Sequence, residues 1–589
     1  MTHISKPAPA SPHQTKGRDM CAEHSPTEHR TVADALVQFL ARAGVTHLFG
    51  VAGSTIMPLL DAVEDDGRIR YVAARYELSA AEMAAGYARA SARLGVVATH
   101  VGPGATSCIT AMAGAHRDGV PLLLITGNEE SDTLARMPYH DWQLLPVMSQ
   151  LCAFSYRVTR PDELPHVLRR ALGEALRGGT GTVHIDLPED IALMPVTDDD
   201  LASWSAAIDP VLAQIADAPQ APLSRPAPNS GEVHRAVDLL ARAHAPVVLL
   251  GETSRRGAAA ERILDQCDGL GIPYATTFGA RGGIGSRPGY AGTIGRFGSR
   301  DTTALVGDAD VVLALGAELT DVDTVRWSIP RPDTDVICVH PEPGVIDRRL
   351  APTLGVVADV EEFLHAFGPA YRERAVSVAG SWIDRARLVN RANGPLGDVS
   401  GAEATLDAQL VTRMIDAAPD SWIVTMDPGF GPLTLSASAD FGGSPFIYAH
   451  GLGAMGFAVP NAIGATMTGG IDGALAVIGD GSFFMSLSSL ESIASLDVPV
   501  VVLVLDDGGF GSQRKKQQEG YGRNVGVDYD NPDIPQIASA MRIDATWVES
   551  VADIDRLCAD LPARTRGQVL AVRRAQVQHG TWYEGGTRR

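Results

Sequence analysis

The sequence predicts an α/β protein made of three doubly wound parallel-sheet domains. Three observations lead to that expectation. Short runs of Val, Ile and Leu alternate with longer stretches of helical periodicity, the pattern of strand–helix–strand units. The apolar runs are near-continuous, as strands buried on both faces require. The chain has 589 residues, 45% of them hydrophobic, enough for three domains with large cores.

Residues 1–30, rich in Pro, His, Ser and charge without an apolar core, read as a disordered tail rather than a secretory signal. The first domain is placed at 31–190. It begins with a helix from Thr31 and a strand over His47–Gly50, which ends in the turn Gly50-Val51-Ala52-Gly53-Ser54. Strands follow over Arg70–Ala73, Val96–Thr99, Pro121–Gly127 and Thr182–Leu187, with Glu77 just before a helix over Ala80–Ala90. The Val96–Thr99 strand runs into the turn His100-Val101-Gly102-Pro103-Gly104-Ala105-Thr106. Residues 191–224 show no clear period and read as a linker. A central domain at 225–365 has strands over Pro246–Gly251, Ile272–Thr277, Val311–Gly316 and Val336–His340. A second linker is placed at 366–402, a third domain at 403–575 and a tail at 576–589. The third domain's strands are Trp422–Met426, Ala474–Ile478, Val498–Leu505 and Gln568–Val572.

Composition narrows the function. A formal charge of −21 argues against a broad nucleic-acid face. Six scattered cysteines form no CxxC, so neither a zinc knuckle nor a disulfide framework is indicated, and a reducing cytoplasm fits. No 18-residue apolar run marks a membrane span.

The chemistry concentrates in two polar turns of the third domain, Gly479-Asp480-Gly481-Ser482 and Asp506-Asp507-Gly508-Gly509. A helix expected over Phe483 to Leu496 and a very apolar strand separate them. In a parallel unit both turns fall at the carboxyl ends of neighbouring strands, where ligands bind. Two carboxylates with backbone oxygens there suit Mg²⁺ that keeps bonds for substrate phosphates. Gly479 and Gly481 let backbone approach a diphosphate, and Ser482 can cap the following helix. Alone, GDGS is an ordinary strand–turn–helix; the second turn, at this distance and after a buried-type strand, points to a cofactor site.

These turns resemble the motif of thiamine-diphosphate enzymes of the acetolactate synthase and 2-oxo acid decarboxylase superfamily, which begins GDG and ends in paired asparagines. Here both asparagines are aspartates. The resemblance implies thiamine diphosphate with Mg²⁺ on Asp480, Asp507 and the Gly509 backbone oxygen. Arg75-Tyr76-Glu77, Gly86-Tyr87-Ala88-Arg89-Ala90 and Gly102-Pro103-Gly104-Ala105-Thr106 resemble the family's pyrimidine-binding domain. By that likeness the domain order is pyrimidine-binding, central Rossmann-like and diphosphate-binding, and Glu77 pairs with the aminopyrimidine ring. His450-Gly451-Leu452-Gly453-Ala454-Met455 is similar to the stretch whose bulky apolar residue, here Met455, bends the cofactor. The same likeness assigns Gly53, Asp427, Gly429, Phe430, Gly453 and Phe510 to the cofactor surroundings.

Ser54 and His100 stand where benzoylformate-type decarboxylases place serine and histidine near the 2-oxo acid, and His140 lies in an irregular stretch that relatives use similarly. A satisfied strand-end histidine is the competing reading of His100. Arg514-Lys515-Lys516 borders the mouth of the site and can attract a carboxylate substrate or form a solvated face. In the central domain Gly251-Glu252-Thr253-Ser254 is no GxGxxG, so FAD has no specific motif behind it; Arg281, Arg296 and Arg300 are the cations available to phosphates. The family shares its cofactor site between subunits, which implies a homodimer or homotetramer. The expected reaction is decarboxylation of a 2-oxo acid and transfer of the acyl-anion equivalent to a carbonyl acceptor. Release of a simple aldehyde is the alternative, and a non-catalytic relative the third reading.

Overall fold

The computed structural model describes residues 30–574 apart from 141, 179–180, 221, 256, 258 and 375–377. The two terminal tails expected from the sequence lie outside the described residues. Three six-stranded sheets, all parallel, make up the molecule.

The first contains β1 (His47–Gly50), β2 (Arg70–Ala73), β3 (Gly95–Thr99), β4 (Leu122–Asn128), β5 (Phe154–Arg157) and β6 (Thr182–Pro188), in the order β2-β1-β3-β4-β6-β5. The central sheet has β7 (Pro246–Leu250), β8 (Tyr274–Thr276), β9 (Tyr290–Thr293), β10 (Val311–Leu315), β11 (Asp335–His340) and β12 (Leu354–Val357). Its order, β12-β11-β10-β7-β8-β9, reverses direction between β7 and β10, the switch point of a Rossmann sheet. A two-strand hairpin, β13 (Asn393–Gly394) and β14 (Gly397–Asp398), precedes the third sheet. That sheet has β15 (Trp422–Met426), β16 (Phe446–Tyr448), β17 (Gly473–Gly479), β18 (Val500–Asp506), β19 (Asp544–Trp547) and β20 (Gln568–Arg573), ordered β16-β15-β17-β18-β20-β19. The outer two sheets therefore share one topology.

The interior strands β3, β7, β10, β15 and β18 are buried almost throughout, which is why they read as unbroken apolar runs. Between the outer domains the helix Glu77–Ser91 packs on the helix Ala458–Thr466, and one apolar core spans both sheets. Small residues allow the contact: a methyl on Gly464 would lie 1.8 Å from the Met83 carbonyl oxygen. Asn461 Nδ2 donates to Glu82 across the same contact at 2.8 Å.

Two sequence expectations are corrected. The stretch 191–224 contains a long helix, Asp198–Asp217, started by a Thr197–Asp200 capping box. Trp204, Ile208, Val211, Leu212 and Ile215 recur on one face and join the first domain's core. The stretch 366–402 likewise includes the end of the helix Val360–Glu373, the helix Gly380–Arg387 and the hairpin. Among the described residues no helix is long and apolar enough to cross a membrane.

Candidate active site

Strand order assembles the predicted residues at two carboxyl edges. Along the first sheet, β2-β1-β3-β4 end at Glu77, Gly53–Ser54, His100 and Glu129 in turn. Glu77 is the first residue of its helix rather than a residue before it, because Tyr76 is still extended. A methyl on Gly104 would stand 3.5 Å from Glu77 Oε1 and 3.6 Å from His100 Cβ, so these two side chains flank one glycine. Gly53 approaches His100 closely: a methyl on it would lie 2.5 Å from the His100 Cβ. Ser54, exposed, starts the short 3₁₀ turn Ser54–Ile56 beside them.

His100 Nδ1 pairs with Thr55 Oγ1 at 2.8 Å, and its ring meets His140 edge-on with centroids 4.6 Å apart. His140 Nδ1 faces Glu129 Oε1 at 3.2 Å. Burial, reinforced by His140, holds His100 below the usual imidazole range. His100, His140 and Glu129 thus form one cluster of titratable side chains at this sheet edge.

In the third sheet β16-β15-β17-β18 lead into His450, Asp427, Asp480 and Asp507. Gly479 pairs with Leu505, and Asp506 with Arg573, so the two metal-type turns leave adjacent strands at nearly one level. The single helix expected after Gly479 is two, Asp480–Met485 and Leu487–Leu496. Asp480 Oδ2 accepts from Gly509 N–H at 2.7 Å and from Asn531 Nδ2 at 2.6 Å; Asn531 Nδ2 also reaches Asp506 Oδ1 at 2.8 Å. Gly509 has φ +146, and a methyl there would collide with the Val527 carbonyl oxygen at 2.0 Å.

Asp507 Oδ1 is buried and has no hydrogen-bond partner. Burial first, then the Asp480 charge, pushes its carboxyl up to about 6; burial also raises Asp480. Two carboxylates converge here with one oxygen unpaired, a set that fits a divalent cation. The aspartate at 507 is partly offset by Arg514, whose Nη1 lies 3.9 Å from Asp507 Oδ1, and by Arg574. Arg514 also clamps the turn, donating to the Gly508 carbonyl at 2.9 Å and to Asp528 at 2.6 Å.

Asp427 is fully buried and accepts from the Gly456, Phe457 and Ala458 N–H groups at 2.6–2.9 Å. Burial raises it to about 6. It therefore acts from behind, fixing the turn that carries Gly453 and Met455. A Cβ on Gly481 would lie 2.6 Å from the Phe510 ring and 3.3 Å from Met455 Cε, so these three form one surface beside the carboxylates. Gly429 is extended before the helix Phe430–Leu435, and Lys515 Nζ and the Arg574 guanidinium lie 5.4 and 5.1 Å from the Phe430 ring centre.

The two groups stand at the carboxyl edges of two different sheets of one chain. Sequence reasoning missed Asn531, Thr55 and Glu129; none belongs to a local spacing pattern. Of the central-domain arginines, Arg281 lies in a cage of Phe278, Phe441 and Phe446 rings at 4.1–4.6 Å and donates to Ser436 Oγ at 2.9 Å. Arg300 donates to the Pro395 carbonyl. A cavity of about 810 Å³ lies where the three domains meet, with Ala88, Arg255, Gly283 and Phe446 in its wall.

Comparison with known proteins gives three consecutive matches. Residues 30–145 match the thiamine pyrophosphate enzyme N-terminal TPP binding domain, 233–367 the central domain, and 437–571 the C-terminal TPP binding domain. The chain is 26% identical over 534 residues to a probable acetolactate synthase large subunit of Methanocaldococcus jannaschii, covering 89% of this chain and 88% of that protein. It is 28% identical over 517 residues to the acetolactate synthase isozyme 2 large subunit of Escherichia coli, covering 87% and 89%. The acetolactate synthase large subunit IlvB1 of Mycobacterium tuberculosis is 28% identical over 497 residues, covering 83% and 78%.

Proposed function

The chain belongs to the thiamine pyrophosphate enzyme superfamily, and on that premise we propose that it is a Mg²⁺-dependent carboligase acting on 2-oxo acids. It would decarboxylate a 2-oxo acid and join the remaining acyl unit to a second carbonyl compound. The observation that carries this reading is similarity to acetolactate synthases over nearly the whole length of both chains. When bound, thiamine diphosphate supplies the nucleophilic carbon and the electron sink for loss of carbon dioxide.

The chain's own residues have distinct tasks. Asp480, Asp507 and the Gly509 backbone would hold Mg²⁺, and the unpaired Asp507 oxygen supports that role. Asn531 keeps Asp480 in place. Met455, Gly481 and Phe510 form the apolar surface that orients the cofactor, with Asp427 fixing the Met455 turn. Glu77 holds a proton at the pyrimidine side. His100 and His140, with Glu129 behind them, stand ready to move a proton at the substrate.

In this reading the pyrimidine-side and diphosphate-side residues, which stand on different sheets, meet across subunits of a homodimer or homotetramer. Exposed apolar side chains support this: Tyr139 is 94% exposed and Tyr521 80%, and Met137, Trp142, Leu452 and Met485 are each about half exposed or more.

The linked histidines favour a second reading, simple decarboxylation, because protonation of the carbon left after carbon dioxide departs yields an aldehyde. Product analysis with pyruvate, then with aromatic and basic 2-oxo acids, decides between them. Coupled hydroxy-ketone or hydroxy-acid product is expected; free aldehyde alone would replace the carboligase by the decarboxylase.

A further inference from the structure

Beyond the residues given a cofactor or substrate role, three side chains from two domains converge at the switch point of the central sheet. Glu252 follows β7, Asp323 lies beyond β10, and His450 follows β16 of the third domain. The switch point is where open α/β sheets bind ligands. His450 Nε2 lies 3.4 Å from Glu252 Oε1 and 3.5 Å from Asp323 Oδ2. Its side chain is nine-tenths buried, and Nε2 meets no acceptor at hydrogen-bonding geometry. Asp323 is fully buried.

We propose that Glu252, Asp323 and His450 form a tetrahedral site for a divalent transition metal, zinc by preference, which ties the central domain to the third and is distinct from the Mg²⁺ site. Three arguments converge. The first is spacing. A tetrahedral ion with bonds of about 2.0–2.1 Å separates its ligands by about 3.3–3.4 Å, whereas an octahedral ion with bonds near 2.1 Å sets neighbours about 3.0 Å apart. The two separations from His450 match the tetrahedral edge and are too long for good hydrogen bonds, and all three ligand atoms lie within 4.8 Å of one another.

The second argument is charge. Asp323 is fully buried and the Glu252 side chain only 16% exposed, so two largely enclosed carboxylates converge on one imidazole, a donor set whose charge a divalent ion would cancel. The nearby Asp118 is already taken by Arg89 at 2.8 Å. The third is support. Thr277 Oγ1 donates to Glu252 Oε1 at 2.7 Å, Thr320 Oγ1 to Asp323 Oδ2 at 2.6 Å, and Phe278 N–H to Asp323 Oδ1 at 3.2 Å. Such donors fix carboxylate ligands in orientation. One imidazole and two carboxylates form a set for zinc, cobalt or manganese rather than for a thiolate-seeking ion. Glu252 and His450 also line a cavity of about 230 Å³, which offers room for a fourth, exchangeable ligand.

The test uses the full chain, stripped by chelation and then supplied with thiamine diphosphate and excess Mg²⁺. Titration with Co²⁺ should fill one site per chain, give the intense visible absorption of tetrahedral cobalt, and be reversed by Zn²⁺. Glu252→Gln and Asp323→Asn should each weaken Co²⁺ binding at least about tenfold, whereas His140→Ala should leave it unchanged. His450→Cys should add a thiolate-to-cobalt charge-transfer band, a gain of signal that misfolding cannot produce. The proposal is overturned if the wild-type chain binds no Co²⁺ that resists excess Mg²⁺, or if the bound ion has the weak octahedral spectrum. It is equally overturned if affinity survives in both carboxylate variants, or if the His140 variant alone abolishes it. None of these outcomes depends on which reaction the enzyme catalyses.

Discussion

Glu77 and Asp507 divide the work at the residue scale. Glu77 stands at the first turn of its helix, beside Gly104 and across from His100. Glu77→Gln preserves shape and removes the proton, so turnover should fall about 10²–10⁴-fold while cofactor affinity changes little. Stopped-time product assays with fluorescence titration of the cofactor separate the two effects. Asp507 is a different case, because its oxygen without a hydrogen bond is the proposed attachment point of the metal. Asp507→Asn keeps a carbonyl oxygen and should retain metal-dependent cofactor binding. Asp507→Ala should weaken it by about tenfold or more, the loss expected when one of few ligands is removed. Chelation should release the cofactor from the wild-type chain, followed by equilibrium dialysis. The two aspartates were legible because each ends a strand and begins a turn. Asn531 was not, since only the return of a distant loop brings its amide to Asp480.

Among elements, burial decided what could be read. The strands recognised in the sequence are mostly interior ones, fully buried and continuously apolar. Besides the hairpin strands β13 and β14, the strands that escaped it, β5, β9, β12, β16 and β19, all lie at sheet edges. One face or one end of each stays exposed, so β19 has no fully buried residue and β5 only Phe154. A similar reason hid the helix Asp198–Asp217, whose apolar stripe is narrow and set among Asp and Ala.

Contacts between elements carry two predictions. Gly464→Ala should destabilise the chain by about 1–3 kcal/mol, because the methyl meets the backbone of Met83 rather than a movable side chain. Chemical denaturation measures it, and an unchanged midpoint would remove close helix contact as the link between the outer domains. In β6, His184 is fully buried between Thr126 Oγ1 and Ser155 Oγ, each at 2.9 Å. Burial lowers it from 6.5 to about 4. Between those values the unfolded chain takes up a proton and the folded chain does not. Its contribution is therefore intact above pH 6.5 and is lost as pH falls toward 4, on the order of 3 kcal/mol in all. His184→Gln should flatten the melting temperature difference between about pH 7 and about pH 5; an equal slope in both proteins would rule the histidine out.

At the scale of the whole molecule, the outer domains are two copies of one topology, and each carries part of the proposed site at corresponding strand ends. Chains carrying Glu77→Gln and chains carrying Asp480→Asn should both be inactive alone. Mixed by co-expression, half the dimers are hybrids with one intact site of two, so about a quarter of wild-type activity should return. Activity that stays at the level of the separate variants would mean that each site lies within one chain.

The sequence alone determined the α/β class and the three-domain order, and it pointed to the turns proposed to anchor the cofactor. Those features are local: a buried strand, the turn that ends it and the helix that follows are contiguous, and their residue types are dictated by neighbours in the chain. Tertiary structure decided which strand lies beside which, and hence that Asp480 and Asp507 leave adjacent strands. It also decided that Arg281 serves an aromatic interface and that His450 faces two carboxylates of another domain. The physical reason is that backbone hydrogen bonding and burial act along the chain, whereas charge pairing and ligation depend on separations that only the packed domains set.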